Sequence, residues 1–204
     1  MTRILAVSDI ELPYIYQAIP GDRFQDVDLV ISCGDLPFSY LEYILSLLNK
    51  DLYFVRGNHA PEGKDLKLEP EGALNLHLTT AASKNGLLLA GIEGSLLYNY
   101  GPYQYTQSQM WLMVYQLVPK LMLNYIKHGR FLDVFVTHAP PWQIHDQDDP
   151  AHQGVKAFRW LIESFQPKYH LHGHTTDYLS SERQITELGK TTVINVTGYD
   201  VIEV

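Results

Sequence analysis

The sequence has almost no cysteine, since Cys33 is the only one in 204 residues. A single thiol excludes an intrachain disulfide and a cysteine-based zinc cage. Its position at the end of an apolar run predicts a small residue of the hydrophobic core. A metal site in this chain would therefore use carboxylate, amide and imidazole groups.

Long apolar runs and an excess of positive charge are also absent. No apolar run approaches the roughly 20 residues of a membrane span, and no signal peptide precedes the first predicted strand. The net charge of −8 argues against tight non-specific binding to nucleic acid, which needs a basic face. We therefore expect a cytoplasmic protein without a membrane partner, and the length favours a single domain over residues 1–204.

Strands and helices alternate in the first part of the chain. Arg3–Val7, Asp28–Ser32 and Asp51–Val55 are short apolar runs typical of buried strands, and Tyr40–Asn49 has apolar residues at helical spacing. This alternation favours a parallel sheet with right-handed crossovers.

The rest of the chain predicts further strands and one long helix. Leu74–Leu78 and Leu87–Ile92 are expected to form a hairpin, because an Asn-Gly turn signal lies between them. A helix is predicted from Thr106 to Gly129, with Pro119 kinking or splitting it. The last strands are expected to form an antiparallel meander: Gln184–Leu188, Thr192–Val196 and Val201–Val204.

Five short apolar runs lead into a residue that can bind a metal. These residues are Asp9, Asp35, Asn58, His138 and His174. Ligands of α/β sheets bind outside the carboxyl ends of the strands, so neighbouring strands would bring these side chains together. Such donors favour a divalent ion, with Mn²⁺ as the first choice and Fe²⁺, Zn²⁺ or Mg²⁺ as alternatives. We expect one or two ions per chain.

The segments around these residues resemble the ordered motifs of the calcineurin-like metallophosphoesterases. The family has an Asp-x-His, a Gly-Asp, a Gly-Asn-His, a lone His after a strand and a Gly-His-x-His. The matching segments here are Asp9-Ile10-Glu11, Gly34-Asp35, Gly57-Asn58-His59, His138 and Gly173-His174-Thr175-Thr176. The resemblance implies a four-layer α/β/β/α sandwich of two mixed sheets flanked by helices. It also implies metal-dependent hydrolysis of phosphate monoesters or diesters.

The resemblance implies a role for each matched residue. Asp35 would bridge two metal ions, and Asp9 would belong to the first of them. Three residues would complete the second metal site: Asn58, His138 and His174. His59 would not bind metal but would assist the leaving group, while a metal-bound water attacks phosphorus in line.

Two positions depart from the family pattern, and both serve the first metal. Glu11 and Thr176 stand where the family has histidines. The first site is therefore predicted to be weak, or to hold a more hydrated ion such as Mg²⁺ through oxygen ligands. Glu11 is either one of those ligands or a solvated residue or helix cap. The alternative function is a degenerate, non-catalytic member that binds metal or nucleotide, and a purely structural α/β protein is a third.

Two further segments, one rich in acidic residues and histidine and one rich in tyrosine, each allow two interpretations. The stretch His145–His152 either positions substrate or water at the mouth of the site, or forms a capped, solvated loop. The tyrosine-rich loop Tyr98–Tyr105 either stacks on a base or aromatic leaving group or, as we favour, packs over the second sheet. His172 is expected to support the site rather than bind metal. The acidic balance favours a small phosphate ester over long nucleic acid and leaves the oligomeric state open.

Overall fold

A computed structural model describes residues 1–59, 69–175 and 183–204. Within these ranges, two sheets lie face to face, and helices cover the outer side of each sheet. The helices are α1 (Pro13–Ala18), α2 (Phe38–Leu48), α3 (Gln107–His128) and α4 (Lys156–Phe165). None of the helices in the described ranges has the length and apolar character needed to cross a lipid bilayer.

The first sheet has five strands. They are β1 (Arg3–Ser8), β2 (Leu29–Ser32), β3 (Asp51–Phe54), β4 (Leu74–Asn75) and β13 (Gly198–Glu203). Their order is β13-β1-β2-β3-β4, and all neighbours are parallel except β13 with β1. The first four strands run in the same direction, so their carboxyl ends lie at one edge of this sheet.

The second sheet has six strands. They are β5 (Thr80–Ala82), β6 (Leu88–Ile92), β9 (Val134–Thr137), β10 (Tyr169–His172), β11 (Ile185–Leu188) and β12 (Thr191–Asn195). The order is β11-β12-β10-β9-β6-β5, with β5 and β11 as antiparallel edge strands. A separate short pair joins β7 (Ser95–Leu96) to β8 (Gln104–Tyr105).

Successive residues of each strand pack on opposite faces of the sheet and so contact different layers. On β1, Ile4 and Ala6 pack between the two sheets, whereas Leu5 and Val7 pack against α1 and α2. On β9 of the second sheet, Phe135 points outward to α3 and α4. The four-layer sandwich that the family resemblance implies is therefore confirmed. Cys33 is fully buried between the sheets, which confirms its place in the core.

The helix α3 runs unbroken through Pro119, so the predicted splitting is wrong. The Thr106 side chain caps its first turn in a capping box, and Gly129 ends it with a φ of 72°. Pro119 lies on the exposed side, where water can bind the carbonyl that loses its partner. The opposite face is anchored to the second sheet by four buried residues: Met110, Val114, Leu117 and Leu121.

Two predictions about strand pairing are wrong. Leu74–Leu78 does not form a hairpin with the following strand: β4 joins β3 in the first sheet, and Thr80–Ala82 forms the hairpin instead. The end of the segment makes only an isolated parallel bridge, from His77 to Gly91 of β6. The C-terminal strands do not form one meander, because β13 crosses to the first sheet and pairs with β1. In both cases the strand pairs at a sheet edge that is distant in sequence.

Candidate metal centre

The expected metal ligands lie beyond the carboxyl ends of strands from both sheets. Asp9, Asp35 and Asn58 follow strands of the first sheet, whereas His138 and His174 follow strands of the second. The backbone N–H of Asp9 bonds to the Gly34 carbonyl, and further hydrogen bonds join the segments of the two sheets. These chain segments therefore meet at one end of the sandwich.

Four of the expected ligands converge on one point. His138 Nε2 lies 2.9 Å from Asn58 Oδ1 and 3.1 Å from Asp35 Oδ2. Ligand atoms of Asp35, His138 and His174 all lie within 4.8 Å of one another. Groups that bind one ion at about 2 Å lie roughly 3 Å apart, so the donor types and spacing fit a divalent cation.

Neighbouring groups orient two of these donors. His138 Nδ1 donates to the Cys33 carbonyl at 2.8 Å, which leaves Nε2 facing the other donors. Asn58 Nδ2 donates to the Tyr98 hydroxyl at 3.1 Å, so the amide oxygen points to His138. Such partners fix the tautomer and ring orientation of metal ligands. The Tyr98 contact was not predicted from the sequence, because no local motif links Tyr98 to Asn58.

His174 is held by two groups. Its backbone N–H donates to both carboxylate oxygens of Asp9, at 3.1 and 3.0 Å, and its Nε2 donates to the Ala151 carbonyl at 2.7 Å. The Nδ1 atom is thereby left as the ligand atom. Burial, together with the positive charge of nearby His138, lowers the pKa of His174 to about 3, so the ring is neutral.

Asp35 and His138 form a buried ion pair. Burial opposes the charged form of Asp35, but His138 and the hydrogen bonds from His59 outweigh it and lower the carboxyl pKa. Burial also opposes the charged form of His138, but the Asp35 carboxylate outweighs it and raises the pKa of His138 to about 9. In this ion pair His138 Nε2 carries a proton, so a cation bound here would displace that proton and take its place beside the Asp35 carboxylate.

His59 lies beside this cluster but takes a different position. Its Nδ1 is 2.5 Å from Asp35 Oδ2, and its backbone N–H donates to Asp35 Oδ1 at 3.0 Å. The side chain is 70% exposed and lines the adjoining cavity. Its Nε2 has no partner among the described residues, so it is free to face a bound molecule.

The backbone around the site is strained. Asp9, Asp35 and His174 have φ values of 61°, 54° and 70°, in the left-handed region that non-glycine residues rarely occupy. Gly57 leaves room for the central carboxylate, because a Cβ at this position would overlap the Asp35 side chain. The local chain is thus shaped around the ligand atoms rather than around the most stable backbone.

Among the described residues, the ligand set expected for the first metal is incomplete. Asp9 lies outside the three-residue group, and burial raises the pKa of its carboxyl. Glu11 Oε1 accepts a hydrogen bond from the Tyr16 hydroxyl at 2.6 Å. Thr176 lies outside the described residues. His172 is also not in the ligand group, because its Nε2 is 2.9 Å from His145 Nδ1 and its Nδ1 donates to the Gly173 carbonyl.

A cavity of about 600 Å³ opens beside the cluster. This volume is typical of small-molecule sites. Its polar side includes Asp35, His59 and His174, and its apolar lining includes Leu36 and Phe38. The two segments left open by the sequence each contribute residues to this lining: Tyr98, Tyr103, Ala151 and His152.

The histidines at the two ends of the stretch His145–His152 have separate surroundings. His152 lines the cavity, with its Nδ1 2.9 Å from Asp149 Oδ2. His145 contacts His172 and Thr186 instead, at 2.9 Å in each case. The cavity end of this stretch is the part that could contact substrate.

Comparison with known proteins agrees with this geometry. The model of the calcineurin-like phosphoesterase family matches residues 2–178. The protein TT1561 of Thermus thermophilus is 16% identical and superimposes with a TM-score of 0.63, over 97% of this chain and 89% of that one. Another solved structure is 14% identical, with a TM-score of 0.64 over 98% of this chain and 94% of its own. At these identities the likeness shows the fold alone, and no protein of curated function matches.

Proposed function

Because the chain belongs to the calcineurin-like phosphoesterase family, we propose that it hydrolyses phosphate esters with the help of a divalent metal ion. The observation that carries the proposal is the convergence of Asp35, Asn58 and His138, with contacts of 2.9 and 3.1 Å. His174 adds a neutral imidazole to the same point. The four residues together offer a carboxylate, an amide oxygen and two imidazoles.

These donors fit Mn²⁺ best, because they mix hard oxygen with imidazole nitrogen. Fe²⁺, Zn²⁺ and Mg²⁺ are alternatives. A divalent ion held there would polarise a phosphoryl oxygen and lower the pKa of water. The Cys33 carbonyl and the Tyr98 hydroxyl keep the imidazole and amide donors aligned.

His59 is proposed to assist departure of the leaving group. Asp35 holds the ring through Nδ1, and the His59 side chain lines the cavity. A proton placed on Nε2 can pass to the oxygen of the leaving group as the ester bond breaks. An imidazole is suited to this transfer near neutral pH.

The proposed substrate is a small phosphate ester. The cavity of about 600 Å³ suits a molecule of that size, and its apolar lining, which includes Leu36 and Phe38, offers a surface for the ester group. The net charge of −8 disfavours long nucleic acid. A cytoplasmic location agrees with a thiol left free in the core.

A non-catalytic metal-binding or nucleotide-binding member is the second candidate. Its support is the incomplete first-metal set, in which Glu11 is bonded to Tyr16 and only Asp9 and Asp35 match the family. In this case the cavity would bind a phosphate-bearing molecule without cleaving it. The two candidates differ in turnover, not in metal binding.

Hydrolysis of bis-p-nitrophenyl phosphate and p-nitrophenyl phosphate would separate them. Wild type would be compared with Asn58→Ala, His59→Ala and the surface control His128→Ala, in Mn²⁺, Mg²⁺ or Zn²⁺. We expect metal-dependent release of p-nitrophenol by wild type and His128→Ala, loss of activity in Asn58→Ala, and a smaller decrease in His59→Ala, because the p-nitrophenolate leaving group needs little protonation. If wild type is no faster than both site variants with every metal, the hydrolase proposal fails.

A further inference from the structure

The helix α3 has a second apolar face that points to solvent. Its buried face packs on the second sheet through residues such as Met110 and Leu117. The outer face carries five large apolar side chains whose exposed fractions run from 45% to 76%: Leu112, Tyr115, Met122, Leu123 and Ile126. A helix that borders water on one side normally carries polar residues there. This outer face is therefore unlike an ordinary solvent-facing surface.

Four of the five apolar side chains are arranged symmetrically about Pro119, and the fifth, Met122, has no apolar counterpart. Leu112 and Ile126 lie seven residues before and after it, and Tyr115 and Leu123 lie four residues before and after it. With 3.6 residues per turn, these positions fall on one face. A two-fold rotation about an axis that is perpendicular to the helix at Pro119 places each of these four side chains opposite its counterpart on the second copy. The face is thus complementary to a second copy of itself.

The scarcity of charge on α3 also favours contact with a second copy of the chain. The helix has no acidic residue, and its only lysines are Lys120 and Lys127. The ammonium group of Lys120 donates to the Leu78 carbonyl, on the side toward the second sheet. Lys127 lies about 80° around the helix from Pro119, at the edge of the face. Two copies of the face would therefore meet without burying a charge.

We propose that α3 is the homodimer interface of this protein. Two copies pack antiparallel, with the two-fold axis at Pro119. Leu112 lies against Ile126 of the partner subunit, and Tyr115 lies against Leu123 of the partner subunit. Such an isologous contact closes on itself and produces a dimer rather than a fibre. No residue of α3 is among the described residues that line the cavity, so the dimer leaves the proposed catalytic site open.

The area of the outer face limits the affinity that the dimer can reach. A helix of 22 residues is about 33 Å long and about 10 Å wide, which gives a footprint of about 300 Å². A standard interface buries about 800 Å² per partner. Aromatic neighbours enlarge the face, because Tyr115 packs on Trp111 and Trp160 at centroid distances of 5.5 and 5.8 Å. Because the helix footprint is less than half of the standard area, the dimer is expected to be weak and reversible, with a Kd in the upper micromolar range.

Sedimentation equilibrium of the full chain from about 1 to 500 µM tests the dimer, a range that brackets micromolar affinity. Wild type should shift from monomer to dimer, and Ile126→Glu should remain monomeric throughout that range. Leu47→Glu is the matched control, because Leu47 is an apolar residue exposed to 48% on another helix, α2. A wild type that stays monomeric would overturn the proposal and assign the face to another partner. An Ile126→Glu protein that still dimerises would overturn it as well.

Cysteine cross-linking tests the register and does not depend on how Ile126→Glu folds. The native Cys33 is buried, so an introduced surface thiol is read without background. Pro119→Cys should form a disulfide dimer, because it lies on the two-fold axis. Leu112→Cys alone should not, since its two copies would be about 21 Å apart, beyond disulfide reach. Leu112→Cys with Ile126→Cys should cross-link, and Leu47→Cys should not. Absence of cross-linking in Pro119→Cys, or equal cross-linking of all variants, would overturn this arrangement.

Discussion

His138 Nε2 and Asn58 Oδ1 lie 2.9 Å apart although 80 residues separate them in the chain. The two ligand atoms come from different sheets. The other polar atom of each side chain makes a hydrogen bond that fixes its orientation. Removing either donor should therefore weaken Mn²⁺ binding by more than about 10-fold. Calorimetric titration of His138→Ala and Asn58→Ala checks this, with His128→Ala as the surface control. Unchanged affinity in both site variants would show that the ion binds elsewhere.

The metal stoichiometry should be about one tightly held ion per chain. Only one ligand set is complete among the described residues, and Glu11 is bonded to Tyr16 rather than placed in the ligand group. Elemental analysis after desalting measures the ratio. The double variant Glu11→His and Thr176→His, which restores the histidines of the family pattern, should raise the ratio toward two. Two tightly held ions in wild type would contradict the weak first site.

Loss of His59 should lower kcat without releasing the metal. The ring bonds to Asp35 through Nδ1 but is not needed to hold an ion, so His59→Ala should keep its Mn²⁺ affinity. General acid catalysis is worth about 10²–10⁴-fold. The loss in kcat should be larger for an alkyl phosphate ester than for a p-nitrophenyl ester, whose leaving group needs little protonation. An equal loss with both substrates would argue against proton donation.

Gly57→Ala should disrupt the centre. The added Cβ would overlap the Asp35 carboxylate, which must then leave its present place beside His138. Overpacking of this kind costs about 1–3 kcal/mol in free energy of unfolding. Urea unfolding and Mn²⁺ titration should both report the damage. Gly21→Ala is the control, because a Cβ there meets its nearest atoms at 3.5 and 3.6 Å. Normal metal binding by Gly57→Ala would refute the close fit.

The protein should lose stability in mild acid through His170. Burial, together with nearby His145, lowers the pKa of His170 to about 3, while the unfolded chain has the ordinary value of about 6.5. Between these values the unfolded state binds more protons, so the free energy of unfolding falls as pH decreases. At pH 5 the loss from this residue is about 2 kcal/mol.

Denaturant unfolding at pH 7 and pH 5 checks this dependence. His170→Phe keeps a ring beside Phe135, whose centroid is 5.1 Å from the imidazole, but cannot accept a proton. The difference in stability between the two pH values should shrink by about 2 kcal/mol in this variant. The exposed control His128→Phe should leave it unchanged. The same pH difference in His170→Phe and wild type would refute the assignment.

Local patterns were sufficient to predict the strands that lead into the site. The segments ending before Asp9, Asp35 and Asn58 are apolar runs followed by turn residues, and each was placed within one or two residues. The pairing of β4 and β13 was not predictable in this way. It depends on which sheet edge is open in the folded protein, and neither strand carries that information in its own residues.

The candidate site was also only partly predictable from the sequence. The ligand types follow from individual residues at strand ends, so Asp35, Asn58 and His138 could be named from the sequence. The groups that aim them could not, because the Cys33 carbonyl, the Tyr98 hydroxyl and the Ala151 carbonyl act through distant backbone or loop positions. The left-handed backbone at Asp9, Asp35 and His174 likewise appears only in the folded chain.

The division of the ligands between two sheets has a mechanical consequence. Asp35 and Asn58 belong to one sheet, and His138 and His174 belong to the other. A bound ion would cross-link the sheets at the end of the sandwich and resist their separation there. Stability would then rise with metal concentration, by about 2.7 kcal/mol at one hundred times the Kd. The chain would be most resistant to heat and proteolysis in the state that is ready for chemistry.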